Sequence, residues 1–341
     1  MVLYVLAAVL AGLPAAGCLY ESIAAARAVR RFPPPGSVAD VGGRRLHFIC
    51  IGRGAPTVVF EQGGFNNSVS FETARTTLAA ETRVCSYDRM GTGWSDPGRG
   101  IVSAGVLADD LRRLQDQAAF GTPLVIVTTS IGGLTTEMFA RRYPDRVAGL
   151  LFADAANSDT LAIAESMIPG VDITAACVAI DAASRIGVVR LLDPFGLRRT
   201  ALSEPSESNG PQSNAVNRSA ALLYGSKPWR TLCSLARNRR ITQEEFLHAP
   251  PLRPDVPLIV LSADSAAGFL PARLESTPLG RLGSLKTAVA SFRESHRRLA
   301  GRSTRGSWRV VPASSHQIAS SQPDAVIDAV RQLLRVARGG A

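Results

Sequence analysis

Short apolar runs alternate with segments of helical period along most of this chain, and this alternation constrains the fold more than any other feature. Strands that alternate with helices predict a mostly parallel sheet with helices packed on both of its faces. The predicted strands cover residues 44–51, 56–64, 83–96 (running into a glycine-rich loop), 123–129, 147–154, 256–264 and 307–313. The predicted helices cover residues 69–80, 103–119, 131–143, 283–300 and 323–337.

The alternation stops between two of the predicted strands. Residues 155–252 contain helix-like pieces and a polar stretch instead of further strands. The chain has 341 residues, of which 46% are hydrophobic, which is enough for one large core with an insertion. We therefore expect a core made of residues 40–154 and 253–341, with residues 155–252 inserted as a cap.

The amino terminus differs in composition from the rest. Residues 2–19 carry no charge, so we interpret residues 1–20 as a hydrophobic signal or a membrane anchor. Residues 21–39, which include the proline run of "RRFPPPG", are interpreted as a stiff linker. The orientation signals conflict, because Arg27, Arg30 and Arg31 would hold the downstream side in the cytoplasm.

The formal net charge of +10 does not indicate nucleic-acid binding. Lysine occurs only at positions 227 and 286, so 36 of the 38 basic residues are arginine, as in proteins from GC-rich genomes. These arginines are scattered in pairs and form no basic stripe with interleaved aromatic residues. The five cysteines form no C-x-x-C pair, and no His/Cys cluster has zinc spacing, so no structural metal site is expected.

Four polar residues follow predicted strands at the point where each strand ends. They are Ser130, Asp154, Asp264 and His316. Ligands of open α/β sheets bind outside the carboxyl ends of the strands. A hydroxyl, two carboxylates and an imidazole are thus expected along one edge of the sheet.

Several segments carry a resemblance to a known family. The stretch "VIVTTSIGG" at 125–133 is close to the G-x-S-x-G turn of serine hydrolases, with Thr128 in place of the first glycine. "YDRMGTGWSD" at 87–96, "FEQGG" at 60–64 and "ASSHQIASSQPDAV" at 313–326 complete the set. Together they resemble the α/β-hydrolase fold family over roughly residues 40–338. The resemblance implies an eight-stranded, mostly parallel sheet with a helical cap.

The resemblance also implies roles for individual residues. Ser130 matches the nucleophile, and the backbone amides of Ile131 and Gly64 match the oxyanion hole. His316 is the expected base, because it is the histidine that follows the last strand. His296 falls in an arginine-rich helix, so we expect it on a solvated helix face. Two residues remain open for the acid: Asp154 is preferred and Asp264 is the alternative.

Asp88 and Arg89 are interpreted as structural residues, an ion pair or turn-forming network that holds the glycine-rich loop.

The implied activity is cleavage of a carboxylic ester of a small or medium hydrophobic substrate through an acyl-enzyme, with no cofactor. An amidase of the proline-iminopeptidase type is one alternative, and a non-catalytic binding protein with the same fold is another. Apolar walls for the substrate are expected from the cap segments at 161–170, 186–196 and 221–225. The sequence predicts no oligomeric state.

The fold that the resemblance implies also bears on the cysteines. Cys50 and Cys85 fall on strands that are neighbours in this fold, so a disulfide between them is expected. Cys177 and Cys233, both in the cap, are a candidate second disulfide. Disulfides persist outside the cytoplasm, which, with residues 2–19, favours a membrane-anchored or exported protein of the bacterial cell envelope.

Overall fold

The structure is a computed structural model that describes residues 1–98, 100–162, 172–192, 211–265 and 283–339. Its strands form one eight-stranded sheet in the order β1-β2-β4-β3-β5-β6-β7-β8. The strands are β1 (Ser37–Asp40), β2 (Arg45–Ile51), β3 (Thr57–Glu61), β4 (Val84–Tyr87), β5 (Leu124–Ser130), β6 (Val147–Ala155), β7 (Leu258–Ala263) and β8 (Gly306–Val311).

The sheet is mostly parallel, as the alternation of strands and helices predicts. β2 pairs antiparallel with β1 and with β4, and every other neighbouring pair is parallel. The strand β1 was not predicted; it lies at the edge of the sheet and is mostly exposed, so it lacks the apolar pattern of a buried strand. The predicted fold class is confirmed.

Helices cover both faces of this sheet. Within the described residues they are α1 (Val2–Arg31), α2 (Glu72–Leu78), α3 (Ala104–Gln117), α4 (Gly132–Arg142), α5 (Ile173–Arg185), α6 (Val188–Leu192), α7 (Pro211–Leu223), α8 (Ser226–Arg237), α9 (Arg239–His248), α10 (Gly283–Ala300), α11 (Ile318–Ser321) and α12 (Pro323–Ala337). A short 3₁₀ turn, Pro144–Arg146, leads into β6.

Two apolar layers hold the helices to the sheet, one on each face. Alternate residues of β5 enter different layers: Ile126 joins one, and Val125 and Val127 join the other. Most helical side chains of the first layer come from α3 and α4, with others from α8, α9 and α10. Those of the second layer come mainly from α2 and α12. Burying one such aliphatic side chain contributes roughly 1.5–3 kcal/mol, so these layers are the main source of stability.

The segment between β6 and β7 contains α5 to α9, which accords with the irregular pattern of the sequence there. The packing of α5 against α8 is close, and the side chain of Leu232 on α8 reaches the backbone of Gly64 in the core. The division into core and cap stays a prediction, since parts of this segment lie outside the described residues.

Residues 21–39 do not form the predicted stiff linker. α1 continues to Arg31, and Phe32 is buried, with its carbonyl accepting from Trp94 Nε1 at 2.9 Å. The chain then enters β1. The reason is that an aromatic side chain in this segment has a core site to fill, which a composition rich in proline and arginine did not reveal.

The amino-terminal helix bears on the membrane prediction. In the part of the chain that the structure describes, no helix combines the length and the apolar character needed to cross a bilayer. The assignment of residues 1–20 as a hydrophobic signal or a membrane anchor stays a prediction, and so does the localisation.

The cysteine predictions have different outcomes. Cys50 and Cys85 face each other across β2 and β4 and form a disulfide, as expected. The Cys177–Cys233 disulfide is not formed: both residues are buried free thiols, and a hydrogen bond joins them across α5 and α8. That hydrogen bond lowers the pKa of Cys177 to about 7 and raises that of Cys233.

Candidate active site

Ser130 lies on a sharp turn between a strand and a helix. It is the last residue of β5, its φ is +50°, and α4 begins two residues later at Gly132. A non-glycine residue at positive φ is strained and persists only where its surroundings hold it. The turn presents a half-buried hydroxyl above the amino terminus of α4. Thr128, where the motif has glycine, does not prevent this conformation.

Two glycines allow α4 to begin this close to the sheet. A Cβ on Gly132 would lie 2.4 Å from the carbonyl oxygen of Gln62, and one on Gly133 would lie 1.9 Å from that of Ala156. Both distances are far inside van der Waals contact, so any side chain here would push the helix away. The "SIGG" sequence is thus a packing requirement of the turn.

His316 reaches this serine from the loop after β8. Its Nε2 lies 3.0 Å from Ser130 Oγ, and its Nδ1 lies 2.6 Å from Asp154 Oδ2. Since an ionised carboxylate only accepts hydrogen bonds, Nδ1 of the neutral ring carries the proton and Nε2 accepts from the serine. The ring is therefore held in the tautomer that a general base requires.

Asp154 is fixed by its backbone conformation and by two hydrogen bonds to its carboxylate. It lies at the end of β6 with φ +47°, and its side chain is buried. Its Oδ1 accepts from the amide of Ala263 at 2.9 Å, which leaves Oδ2 for His316. The geometry brings the preferred acid, the histidine and the serine into one hydrogen-bonded line.

The alternative acid, Asp264, has other partners. Its Oδ2 accepts from the amide of Ala313 at 3.0 Å, and its own amide donates to Ser314 Oγ at 3.0 Å. These contacts tie the end of β7 to the loop that carries His316. Asp264 is placed to support that loop and not to contact the imidazole.

Two backbone amides next to Ser130 are available to a ligand. In the part of the chain that the structure describes, the N–H groups of Ile131 and Gly64 donate to no protein acceptor. The two residues are neighbours, because a Cβ on Gly64 would lie 3.5 Å from Ile131 Cγ2. Paired free amides beside a nucleophile can stabilise an oxyanion.

A second histidine near Asp154 was missed by the sequence reasoning. His296 was predicted on a solvated face but is fully buried, with Nε2 2.8 Å from the carbonyl of Ala155 and Nδ1 2.7 Å from Ser262 Oγ. Burial lowers its pKa, so the ring is neutral. The arginines around it in α10 obscured its position; the apolar residues Phe292 and Leu299, in register with it on the same helix, were the available signal.

Several hydrogen bonds to the carboxylate of Asp88 hold the glycine-rich loop in its turn. The carboxylate accepts from the amide of Ser68 at 2.6 Å and that of Trp94 at 3.0 Å, and it lies 2.8 Å from His47 Nδ1. Arg89, its predicted partner in an ion pair, turns instead toward Glu61, at 3.1 Å. The predicted structural role of this loop fits these contacts.

Apolar side chains surround the serine. Leu232 lies 3.3 Å from the Cβ position of Gly64, and Phe292 lies edge-on to His316 with ring centroids 6.5 Å apart. The ring of Phe65, the residue after Gly64, is tilted against that of Trp229, with centroids 5.0 Å apart. Of the predicted cap walls, residues 163–170 and 193–196 lie outside the described residues. The described part of the site is thus polar at the reacting atoms and apolar around them.

Comparison with known proteins gives a family match over part of the chain. A family model for the alpha/beta hydrolase fold matches residues 56–172, which hold the serine turn and Asp154. An uncharacterized protein of Schizosaccharomyces pombe is 40% identical over 84 residues, which cover 25% of this chain and 16% of that protein. The matched region is therefore about a sixth of that relative's length, and it identifies a shared module only.

Solved structures match over most of the chain. A thermophilic esterase from Thermogutta terrifontis has a TM-score of 0.59 at 22% identity, over 88% of this chain and 97% of that one. The enol-lactonase from Burkholderia xenovorans LB400 has a TM-score of 0.53 at 20% identity, over 87% and 99%. At these identities the likeness establishes the architecture. Together with the family match over residues 56–172, it shows that this chain has the α/β-hydrolase fold.

Proposed function

We propose that this protein is a serine hydrolase that cleaves a carboxylic ester of a small or medium hydrophobic substrate through an acyl-enzyme. The observation that carries the proposal is the unbroken line from Ser130 Oγ to His316 Nε2 at 3.0 Å, and from His316 Nδ1 to Asp154 Oδ2 at 2.6 Å. A serine hydroxyl is a weak nucleophile unless a base takes its proton and a third group orients that base. The family match and the fold support hydrolase activity in general.

In the proposed reaction, Ser130 Oγ forms a bond to the ester carbonyl carbon while its proton moves to His316 Nε2. The carbonyl oxygen becomes an oxyanion that accepts from the amides of Ile131 and Gly64. When the tetrahedral intermediate collapses, the bond to the alcohol oxygen breaks and His316 returns the proton to that oxygen. A water molecule then repeats the sequence on the acyl-enzyme and releases the acid.

The carboxylate of Asp154 stabilises the imidazolium that forms on His316 in each step. Its burial strengthens this interaction, because a buried charge pair is screened much less than an exposed one. The apolar surroundings formed by Leu232, Phe65 and Trp229 favour a hydrophobic acyl or alcohol group. Proteins of similar fold include an esterase and an enol-lactonase, which both act on an ester bond.

The test combines covalent labelling with turnover. A fluorophosphonate probe should label the wild-type protein at Ser130, and p-nitrophenyl esters of increasing acyl length should be hydrolysed. The Ser130→Ala variant should lose both, whereas Ser315→Ala, which changes a serine on the His316 loop that takes no part in the relay, should keep both. Aminoacyl-anilides in the same assay distinguish an amidase.

Two results would refute the proposal. Absence of labelling in folded wild-type protein would favour a binding protein that keeps the fold without the chemistry. Labelling with turnover of the anilides but not of the esters would move the activity to the amidase class.

A further inference from the structure

Arg89 reaches from the glycine-rich loop to the backbone beside Ser130. Its Nη2 donates to the carbonyl oxygen of Gly63 at 2.7 Å, and its Nη1 lies 3.1 Å from Glu61 Oε1. The side chain is 6% exposed and that of Glu61 is 0% exposed. Burying a guanidinium this deeply has a large desolvation cost. A role for its hydrogen bond to the Gly63 carbonyl would explain why the arginine is buried here.

The target carbonyl belongs to the peptide whose amide is Gly64 N–H. This peptide is trans, and in a trans peptide the C=O and the N–H point in opposite directions. Holding the Gly63 carbonyl toward Arg89 therefore directs the Gly64 N–H away from it. Ser130 lies directly beside the same peptide: a Cβ on Gly63 would be 3.0 Å from Ser130 Cβ.

The same hydrogen bond strengthens the amide as a donor. A cation bonded to the carbonyl oxygen draws electron density from the peptide nitrogen, and hydrogen bonds in a chain polarise one another in a low-dielectric interior. Burial raises the pKa of Glu61 to about 7, which weakens its neutralisation of Arg89. Tyr87 OH also donates to Glu61, so the carboxyl group has a second partner besides Arg89.

The space on both sides of this peptide is tight and suits glycine. A side chain on Gly63 would press on Ser130, and one on Gly64 would meet Leu232 at 3.3 Å. Two adjacent glycines make a flexible backbone, and such a peptide needs an external contact to keep one orientation. Arg89 supplies that contact, and no other side-chain donor to the Gly63 carbonyl is present in the described residues.

We propose that Arg89 is a positioning residue for the oxyanion hole, which aims and polarises the Gly64 N–H toward an oxyanion formed at Ser130. The proposal rests on the proposed serine hydrolase function. It differs from a purely structural role, because a structural arginine would affect folding stability and leave the affinity for the oxyanion unchanged.

The experiment compares Arg89→Met with Arg75→Met as a matched control. Arg75 is also buried, bonds a backbone carbonyl (that of Ser68, at 2.9 Å) and pairs with a glutamate, but it does not contact the peptide beside Ser130. Two kinetic quantities are measured for each variant: kcat and KM for a p-nitrophenyl ester, and Ki for a trifluoromethyl ketone. The ketone forms an oxyanion on the serine.

In Arg89→Met we expect kcat to fall about 10- to 100-fold with KM within about threefold, and Ki to rise by the same factor as kcat falls. This is somewhat less than the 10²–10³-fold loss on removing an oxyanion donor outright. Arg75→Met should leave the Ki of the folded protein unchanged. Arg89→Lys, which keeps the charge but not the fork, should fall between wild type and Arg89→Met.

A spectroscopic measurement keeps the test independent of turnover and of the proposed function. The ¹³C shift of the Gly63 carbonyl and the ¹H shift of the Gly64 amide should both move upfield in Arg89→Met and stay in place in Arg75→Met. If Arg89→Met does not fold, the double variant Glu61→Gln/Arg89→Met removes the unpaired buried acid, and Arg89→Lys is measured beside it. Unchanged shifts, or a Ki that does not follow kcat, would overturn the proposal. A wild type that neither labels nor turns over refutes the serine hydrolase alone.

Discussion

The two carboxylate oxygens of Asp154 face two different histidines: Oδ2 lies 2.6 Å from Nδ1 of His316, and Oδ1 lies 3.9 Å from Nδ1 of His296. His296 is neutral, and its hydrogen-bond roles follow from its partners. The carbonyl of Ala155 can only accept, so Nε2 carries the proton; Ser262 Oγ then donates to Nδ1. His296 thus fixes the end of β6, where Asp154 is strained, without adding charge beside it.

Replacing His296 should reduce turnover without abolishing it. In His296→Phe, the carbonyl of Ala155 loses a buried donor, which costs about 1–3 kcal/mol. We expect kcat to fall roughly tenfold with KM unchanged. His296→Gln, whose amide reaches the position of Nε2, should recover most of the loss. His248→Phe, on the exposed end of α9, is the control, and equal kcat values for His248→Phe and His296→Phe would contradict the interpretation.

The two candidate acids should separate cleanly in kinetics. Asp154→Asn replaces a carboxylate, which only accepts, by an amide that can donate to His316 Nδ1 and so favour the wrong tautomer. We expect kcat to fall by about 10³- to 10⁴-fold. Asp264→Asn should stay within a few-fold of wild type, because its contacts support the loop backbone. Steady-state hydrolysis of one p-nitrophenyl ester decides between them. Near-normal turnover in Asp154→Asn would transfer the role to another group.

Stability should depend on pH through Glu61. Its pKa is about 7 in the folded protein and near 4.5 when exposed, so the folded state binds the extra proton between these values. The free energy of unfolding attributable to Glu61 is therefore greatest below about pH 4.5 and falls as pH rises toward 7. Urea unfolding at pH 5 and pH 8 should show a smaller change for Glu61→Gln than for wild type.

The wild type must be compared with Glu61→Gln, because other groups titrate in the same pH range and also affect the free energy of unfolding. The lowered pKa of His296 works in the opposite direction, since the unfolded state takes up its proton first as pH falls. The pKa of Asp110 is also raised, to about 6, so Asp110 acts in the same direction as Glu61. In Asp110→Asn the free energy of unfolding should likewise depend less on pH, over a lower pH range. An equal pH dependence for wild type and Glu61→Gln would remove Glu61 as a source.

The glycine after the serine turn should tolerate no side chain. In Gly133→Ala the new Cβ would overlap the carbonyl oxygen of Ala156, at 1.9 Å, and overpacking of this kind costs 1–3 kcal/mol or more. We expect a lower melting temperature together with loss of fluorophosphonate labelling. Gly225→Ala is the control, with its nearest neighbour at 3.5 Å and a negative φ. A Gly133→Ala variant that labels normally would show that the turn relaxes.

The disulfide should be detectable by alkylation. In protein denatured without reductant, Cys18, Cys177 and Cys233 should react and Cys50 and Cys85 should not. Replacing both bridged cysteines by serine should lower the free energy of unfolding by about 3–4 kcal/mol, the loop-entropy value for a separation of 35 residues. Alkylation of Cys50 in unreduced protein would exclude the bridge.

The sequence by itself determined the fold class. Strand and helix signals are local, since they depend on the period of apolar residues, and the long periodic segments such as α12 and β5 are found close to where the pattern predicts them. The serine turn could also be predicted from the sequence, because helix α4 begins so close to neighbouring backbone that only glycine fits at positions 132 and 133. The sequence left Asp154 and Asp264 open, because both follow strands and a linear pattern does not tell which carboxylate faces the imidazole.

Only the tertiary structure decided that choice, since it depends on how β6, β7 and the His316 loop are juxtaposed. It also moved His296 from an expected surface into the core, and it turned Arg89 away from Asp88 toward Glu61 and the Gly63 carbonyl. These contacts join residues far apart in the chain, and their partners are selected by the three-dimensional packing of the sheet. Local periodicity carries no information about such pairings, which is why the relay partners and the support of the oxyanion site emerge only in the folded molecule.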